Sequence, residues 1–326
     1  MNRLLYRIKR RYEMTIHNWK NDCEFSKKLA WFRLIDDLGG RIGFRKLSGR
    51  AHSKKDEWIL NYLQDMLEPI IHKYKNCDGQ GILVDNAPIW VCWWDGERNA
   101  PLLVRQCINS IRKNAGGHPV CMISKENYSY YLDVPDNILR KMENKKMGLA
   151  HFSDYLRVSL LERYGGLWLD ATIFCSDIIP QEYFSCQFFT CKSEVKKGYY
   201  LSNFQWVTFC LGGWKHQVFF QFMKEAFELY WREESTAIDY LFFDSLIYIA
   251  KENVPSIQKA LEVVPINNIH RDDLQAAMNK ALPAQEFWNV IKEDTCLYKL
   301  SWRENYSKVT SDGRQSVYGY FVEEME

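Results

Sequence analysis

No C-x-x-C pair occurs among the ten cysteines of this 326-residue chain, and no stretch approaches the roughly 18 uncharged apolar residues of a membrane span. The cysteines, at positions 23, 77, 92, 107, 121, 175, 186, 191, 210 and 296, are spread singly, and Cys92 and Cys121 sit inside apolar runs. They read as reduced, packed thiols rather than as a disulfide framework. The amino-terminal residues MNRLLYRIKRRYEMTIHNWK lack the apolar core of a signal peptide, so the expected setting is the cytosol. G-x-x-x-x-G-K, G-x-G-x-x-G, H-E-x-x-H and G-x-S-x-G are all missing, which removes the usual warrants for kinases, dinucleotide enzymes, zinc proteases and serine hydrolases. A net charge of only +2 gives no bulk attraction for nucleic acid, and neither repeats nor low-complexity tracts occur.

What is present is a globular composition, 47% hydrophobic and 26% charged, enough to bury a core. Aromatics reach 15%, a payload that suits a heavily packed interior or a site that stacks on rings. The charge is unevenly placed: residues 1–56 carry 15 Lys and Arg against 6 Asp and Glu, a net of +9, which leaves −7 on the remainder. Leu4, Leu5, Ile8 and Tyr12 fall at near-helical spacing among Arg3, Arg7, Lys9, Arg10 and Arg11. Such a helix fits an anionic membrane surface, and equally a solvated face packed on its own domain. Gly39-Gly40, Gly43 and Gly49 are expected to break the pattern before a second helix at about 56–75. Residues 1–80 thus read as a basic helical extension and 81–326 as the main domain.

In that domain Ile89-Trp90-Val91-Cys92-Trp93-Trp94 is a buried-strand signal ending at Asp95-Gly96. Pro101 opens a helix that closes at Gly116-Gly117, and Pro119 to Ser124 is a further strand, so a βαβ unit and a parallel sheet are expected. Ser153 to Tyr164 reads as a helix with a capped start, stopped by Gly165-Gly166. Leu167-Trp168-Leu169 is then a strand, and Asp170-Ala171-Thr172 follows where it runs out, at the edge where open α/β sheets bind ligands. Long amphipathic helices are expected at 217–231 and 237–251. Asp154 and Arg157, three apart, share a helix face, and the Gly-Gly turn brings Asp170 back beside them. Two carboxylates and a guanidinium at one sheet edge suit a ribose, a diphosphate and a divalent cation. An Asp-Arg pair on a solvated helix would look the same.

The run His151-Phe152-Ser153-Asp154-Tyr155-Leu156-Arg157, then Leu160-Leu161, then Tyr164-Gly165-Gly166-Leu167-Trp168-Leu169-Asp170-Ala171-Thr172 resembles the sugar-binding core of capsular polysaccharide synthesis glycosyltransferases. These are similar to the wider DXD group that includes yeast-type mannosyltransferases and glucosylating bacterial toxins. The likeness is specific over about 85–180. It implies an A-type glycosyltransferase fold, α/β with a Rossmann-like, mostly parallel sheet, and a retaining transfer from a nucleotide sugar, a UDP-sugar in the first instance. By the same likeness Ser153, Asp154, Arg157 and Asp170 serve the donor, and Trp90 or Trp93 stacks near the base. Ser301 with Trp302 closes over the diphosphate. Asp154, Arg157 and Asp170 form the catalytic set, with Asp170 also the ligand of Mn²⁺ or Mg²⁺. One departure bears on the metal: Thr172 stands where the motif ends in a second aspartate, and a neutral hydroxyl is a poorer partner for a divalent cation. Without a metal, Arg157 and Lys299 would share the charge stabilisation.

Asp239 and Asp244, flanking Tyr240 to Phe243, are candidates for orienting an acceptor hydroxyl, or are polar positions of a helix facing water. His151, the Lys215-His216 pair, Trp206 and Trp214 have donor-side readings beside ordinary structural ones. The expectation is transfer to a surface polysaccharide or a lipid-linked precursor, at the inner face of the plasma membrane with peripheral contact to anionic lipid. The alternative is an inert polysaccharide-binding or scaffold subunit of the same fold.

Overall fold

The computed structural model describes residues 13, 15–16, 18–79, 81–195, 201–281 and 295–323; most of the expected helix within the first twenty residues lies outside them. Helical residues 18–25 lead into two further helices, α1 (Lys27–Arg41), capped by Ser26, and α2 (Arg45–Tyr74). Of the glycines expected to break this region, only Gly43, at φ +84°, sits between helices. Gly39 and Gly40 lie inside α1 and Gly49 inside α2. Gly39 is buried where the helices cross, and a Cβ there would stand 3.2 Å from the Ser48 Cβ. It permits close packing rather than ending a helix. Along α2 the residues Ala51, Lys55, Ile59, Leu63, Leu67, Ile70 and Tyr74 are buried, a stripe at helical spacing whose apolar members from Ile59 on join the core beside the sheet.

Five strands form the central sheet: β1 (Ile89–Cys92), β2 (Val120–Ile123), β3 (Gly166–Leu169), β5 (Phe188–Thr190) and β6 (Cys210–Gly213), in the order β2-β1-β3-β6-β5. β1 pairs in parallel with β2 and β3, whereas β6 runs antiparallel to both β3 and β5. Four strands therefore share one direction and β6 opposes them, the mostly parallel α/β sheet expected from the sequence. The β1–β2 crossover is the helix α3 (Leu102–Lys113). Alternation along the strands sends Trp90, Trp168 and Leu211 to one face, and Ile89, Val91, Leu167, Leu169 and Cys210 to the other. The first face is covered by α5 (Leu149–Tyr164), by α6 (Val218–Glu233) and α7 (Phe242–Asn253), and by α2. The second packs on α3 through Val104, Ile108 and Ile111. Burial of both faces explains why these strands are continuous apolar runs. The shorter helix α4 (Asp136–Glu143) packs beside α6.

A two-stranded antiparallel ladder, β4 (Ile173–Cys175) with β7 (Leu297–Lys299), flanks the sheet and sets Ile173 opposite Lys299. Three expected boundaries move: the helix expected at about 56–75 already begins at Arg45. α5 begins at Leu149 rather than at a cap on Ser153, and residues 237–241 precede α7 as a turn rather than forming its first coil. All ten cysteines are free. No helix among the described residues is long and apolar enough to cross a membrane.

Candidate active site

β1 and β3 end at the same edge, where a cleft of about 630 Å³ opens between Trp93, Asp154, Asp170, Asp244, Lys299 and Trp302. The turn from α5 into β3 places the acidic end of β3 there. Gly165 and Gly166 have φ of +69° and +97°, and a Cβ on Gly166 would lie 2.1 Å from the Pro88 carbonyl oxygen. Only glycine lets β3 lie this close to the entry of β1, where the Leu167 N–H donates to Pro88 at 2.9 Å.

Arg157 is the hub. Its side chain is 5% exposed and lies over the rings of Trp168 and Phe243, 5.0 and 5.8 Å from their centroids. One Nη donates to Asp154 Oδ1 at 2.8 Å and the other to Asp170 Oδ1 at 3.1 Å. Trp168 Nε1 donates to the same Asp170 oxygen at 3.0 Å, while Lys299 Nζ donates to Asp170 Oδ2 at 2.7 Å and to Thr172 Oγ1 at 2.8 Å. Burial alone would raise the Asp170 pKa, but the ammonium and the guanidinium more than offset it and hold the carboxyl below its ordinary value. Asp154 behaves oppositely: burial, aided by the nearby charges of Asp170 and Asp244, outweighs Arg157 and pushes it up to about 6. Asp244 is likewise pushed to about 6 by burial, against the Trp206 Nε1 bond at 2.8 Å and the charge of Arg157.

At the mouth, Trp93 and Trp302 meet edge to face with centroids 5.7 Å apart, and Trp302 is 41% exposed. Ser153 and Ser301 line the same space, and Tyr240, 74% exposed, stands at its rim. Such an arrangement can stack a flat ring, neutralise a diphosphate and accept hydrogen bonds from hydroxyls.

The fold brings together Trp93, Ser153, Asp154, Arg157, Asp170, Asp244, Lys299, Ser301 and Trp302. It leaves out Trp90 and Asp239. Trp90 points to the opposite side of β1 from Val91, is 2% exposed, packs on Tyr131 and Tyr164, and donates from Nε1 to Gly165 at 2.9 Å. It holds the Gly-Gly turn and has no face for a base. Asp239 lies behind the cleft, paired with Arg33 at 3.2 Å and Lys55 at 3.4 Å. His151 is buried against Trp231, Tyr240 and Phe242, and His216, at φ +58°, pairs with Glu162 at 2.7 Å as part of a turn. Trp214 Nε1 donates to the Ser185 carbonyl.

Sequence reasoning missed Trp168, Phe243 and Thr208. The signal for Trp168 was available: it is two residues before Asp170, hence on the same side of the strand. Phe243 and Thr208 carry no such local sign.

The donor set does not fit a divalent cation. Both Asp170 oxygens are taken by nitrogen donors, Thr172 offers only a neutral hydroxyl, and an ammonium stands between them. Among the described residues no group of three His, Cys, Asp or Glu side chains could enclose a metal.

Comparison with curated proteins gives no match. Among solved structures, "PaToxG Glycosyltransferase" matches with 14% identity and a TM-score of 0.29, covering 66% of this chain and 90% of that one, a likeness too slight to carry an argument. Residues 41–321, which include every side chain of the cleft, match the family described as "Capsular polysaccharide synthesis protein". The chain belongs to that capsular polysaccharide synthesis family.

Proposed function

We propose that the protein is a glycosyltransferase that moves a sugar from a nucleotide-sugar donor to a capsular or other surface polysaccharide, or to its lipid-linked precursor. The observation that carries this reading is the pairing of Arg157 and Lys299 on Asp170 at the carboxyl ends of β1 and β3, under two tryptophans, in a cleft of about 630 Å³. That volume lies within the range of small-ligand sites. The base, uracil in the first instance, stacks at Trp93 and Trp302, and the diphosphate faces Arg157 and Lys299. The sugar hydroxyls reach Asp154 and Asp244, and the acceptor enters past Tyr240. In transfer, the bond from the anomeric carbon to the phosphate oxygen breaks and a bond to the acceptor oxygen forms. The departing diphosphate gains negative charge, which the two preorganised cations stabilise most strongly in the transition state. In a retaining course the acceptor proton leaves to the departing diphosphate on the same face of the sugar.

Contact with an anionic membrane is supported by the tip of the α1–α2 hairpin. Ile42, Phe44 and Leu47 are 67%, 62% and 53% exposed there. Arg45, Lys46 and Arg50 are exposed beside them, and none is held in an ion pair among the described residues. Apolar side chains ringed by free cations suit a headgroup interface. The free thiols agree with a cytosolic setting.

Calorimetric titration with a panel of nucleotide sugars, repeated on Asp170→Asn, tests the central reading. One donor should bind, and the variant should lose that binding. Folded protein that binds no donor would overturn it.

A further inference from the structure

Lys299 is fixed from both sides of the chain. It ends β7 opposite Ile173, its own N–H donates to the Arg271 carbonyl at 2.8 Å, and the next N–H, of Leu300, donates to the Thr172 carbonyl at 2.9 Å. Its side chain is 27% exposed and its ammonium lies 5.0 Å from the centroid of Phe209. This is no surface lysine folded onto a convenient carboxylate. The same ladder that places the backbone of Thr172 places Nζ against the Thr172 hydroxyl and the Asp170 carboxylate together.

Two features that are separately odd for a diphosphate site are explained by one arrangement. A divalent ion at this motif would be held more firmly by a second anionic oxygen donor, and here the position is Thr172. A divalent ion would also be repelled by a fixed ammonium within bonding distance of Asp170, and here Lys299 is there. A threonine hydroxyl can accept from an ammonium without adding charge. An ammonium has three N–H donors; Asp170 and Thr172 take two, which leaves one for an oxygen in the cleft.

We propose that the Lys299 ammonium is the resident cation of this site, binding the diphosphate where a divalent metal would otherwise stand, so that donor binding and sugar transfer proceed without metal. The proposal rests on the glycosyltransferase reading and names its cofactor requirement. Lys299 and Arg157 then meet the diphosphate from two directions. Asp170 holds both cations in place, and Thr172 is a positioning residue that aims Nζ.

The test is calorimetric binding of UDP, GDP, CDP and dTDP to the full chain, each in EDTA and in Mn²⁺, together with Mn²⁺ titrated alone. The expected result is that one nucleoside diphosphate binds with the same affinity, within about twofold, in EDTA and in Mn²⁺, and that Mn²⁺ alone gives no stoichiometric binding. Lys299→Met should weaken that binding roughly 10- to 100-fold, as loss of a charge-assisted hydrogen bond does, with no rescue by Mn²⁺. Lys299→Arg should retain most of it. The double variant Thr172→Asp with Lys299→Glu removes the ammonium and supplies carboxylates, so its nucleotide binding should become dependent on Mn²⁺. Binding by the wild type that requires Mn²⁺, or improves tenfold or more with it, would overturn the proposal and leave the transferase reading standing. Absence of any nucleotide binding, with or without Mn²⁺, by protein that melts cooperatively would overturn both. The wild-type comparison needs no variant, so poor folding of Lys299→Met would not protect the idea.

Discussion

Asp239 and Asp244 lie five residues apart, and their carboxyl groups titrate in opposite directions. Asp239 belongs to a second cavity of about 570 Å³, between the α1–α2 hairpin and the turn before α7, which meets the donor cleft at Tyr240 and Leu241. There Asp239 is answered within the chain by two cations, although Asp22 beside it is still pushed up to about 6 by burial. Arg33 joins Asp22 and Asp239 and donates to the Ile238 carbonyl at 2.7 Å, while Lys55 joins Asp239 and Asp56. Burial works to raise Asp239, but Lys55 and Arg33 prevail and hold it below its ordinary value. Asp244 accepts the Trp206 indole N–H and has no ion pair among the described residues, so burial prevails and it is pushed to about 6. A closed set of ion pairs fastens one element to another. A set that leaves a buried carboxylate under-compensated beside open space is suited to receive a ligand.

The largest expected effect is at the hub. Arg157→Ala leaves Asp154 and Asp170 without their shared guanidinium, and transfer should fall by about 10²- to 10³-fold or more, as loss of a preorganised donor to a developing charge does. It should also lower stability by about 3 kcal/mol, since it breaks a buried pair. Kinetics and urea unfolding measured together decide this, and wild-type turnover would remove Arg157 from the site. Asp239→Asn is the counterpart. It should lower stability by about 3 kcal/mol or somewhat less, Arg33 being partly exposed, while kcat/KM stays within about threefold. Lost activity with unchanged stability would erase the contrast between the cavities.

How much of this could be read beforehand follows from sequence distance. Ser153 to Thr172 is one continuous segment, and its geometry is set by a helix face, a Gly-Gly turn and a strand end, all of them local rules. The meeting of Lys299 with Asp170 spans 129 positions and depends on the β4–β7 register. No periodicity announces that register, so Lys299 could be named as a cation but not placed between Asp170 and Thr172. Trp90 and Trp93 stand in one aromatic run, and nothing local in the sequence separates them. Trp90 is fixed in the core by the pleat, whereas Trp93 lies just beyond Cys92, where the strand has ended and the chain turns into the cleft. The fate of Asp239 was hidden because its partners Arg33 and Lys55 lie in the extension, about 200 residues earlier. Gly39 does not break its helix because close packing on Ser48 outweighs its poor intrinsic propensity, whereas Gly40 and the exposed Gly49 are simply carried by the helices around them.

The Asp244 carboxyl gives the comparison a pH dependence. Its native value of about 6 lies above the 3.8 of an unperturbed aspartate, so the folded state binds this proton more tightly than the unfolded state does. The group therefore favours folding at low pH, and that contribution is lost as pH rises from about 4 to about 6. Asp154 has the same sign, whereas Asp239 contributes stability above about pH 4 that is lost as pH falls through its lowered native value. Asp244→Asn should flatten the decline of stability between about pH 4 and pH 6, and Asp239→Asn should leave that decline in place. Parallel curves for Asp244→Asn and the wild type, measured by urea unfolding, would show that the two carboxylates do not differ.

The smallest effect on chemistry is expected farthest from the cleft. Phe44 lies at the hairpin tip, 62% exposed, so Phe44→Asp removes no packing that holds the fold, and turnover on a soluble acceptor should be unchanged. On vesicles containing anionic lipid, partition should fall by about tenfold, because an aromatic ring that entered the interface is replaced by a carboxylate that the headgroups repel. Equal sedimentation of the variant and the wild type would mean that the tip is merely solvated. The first 80 residues would then serve only to pack on the rest of the chain, through Arg33, Lys55 and the buried stripe of α2, with their basic charge unconnected to where the acceptor resides.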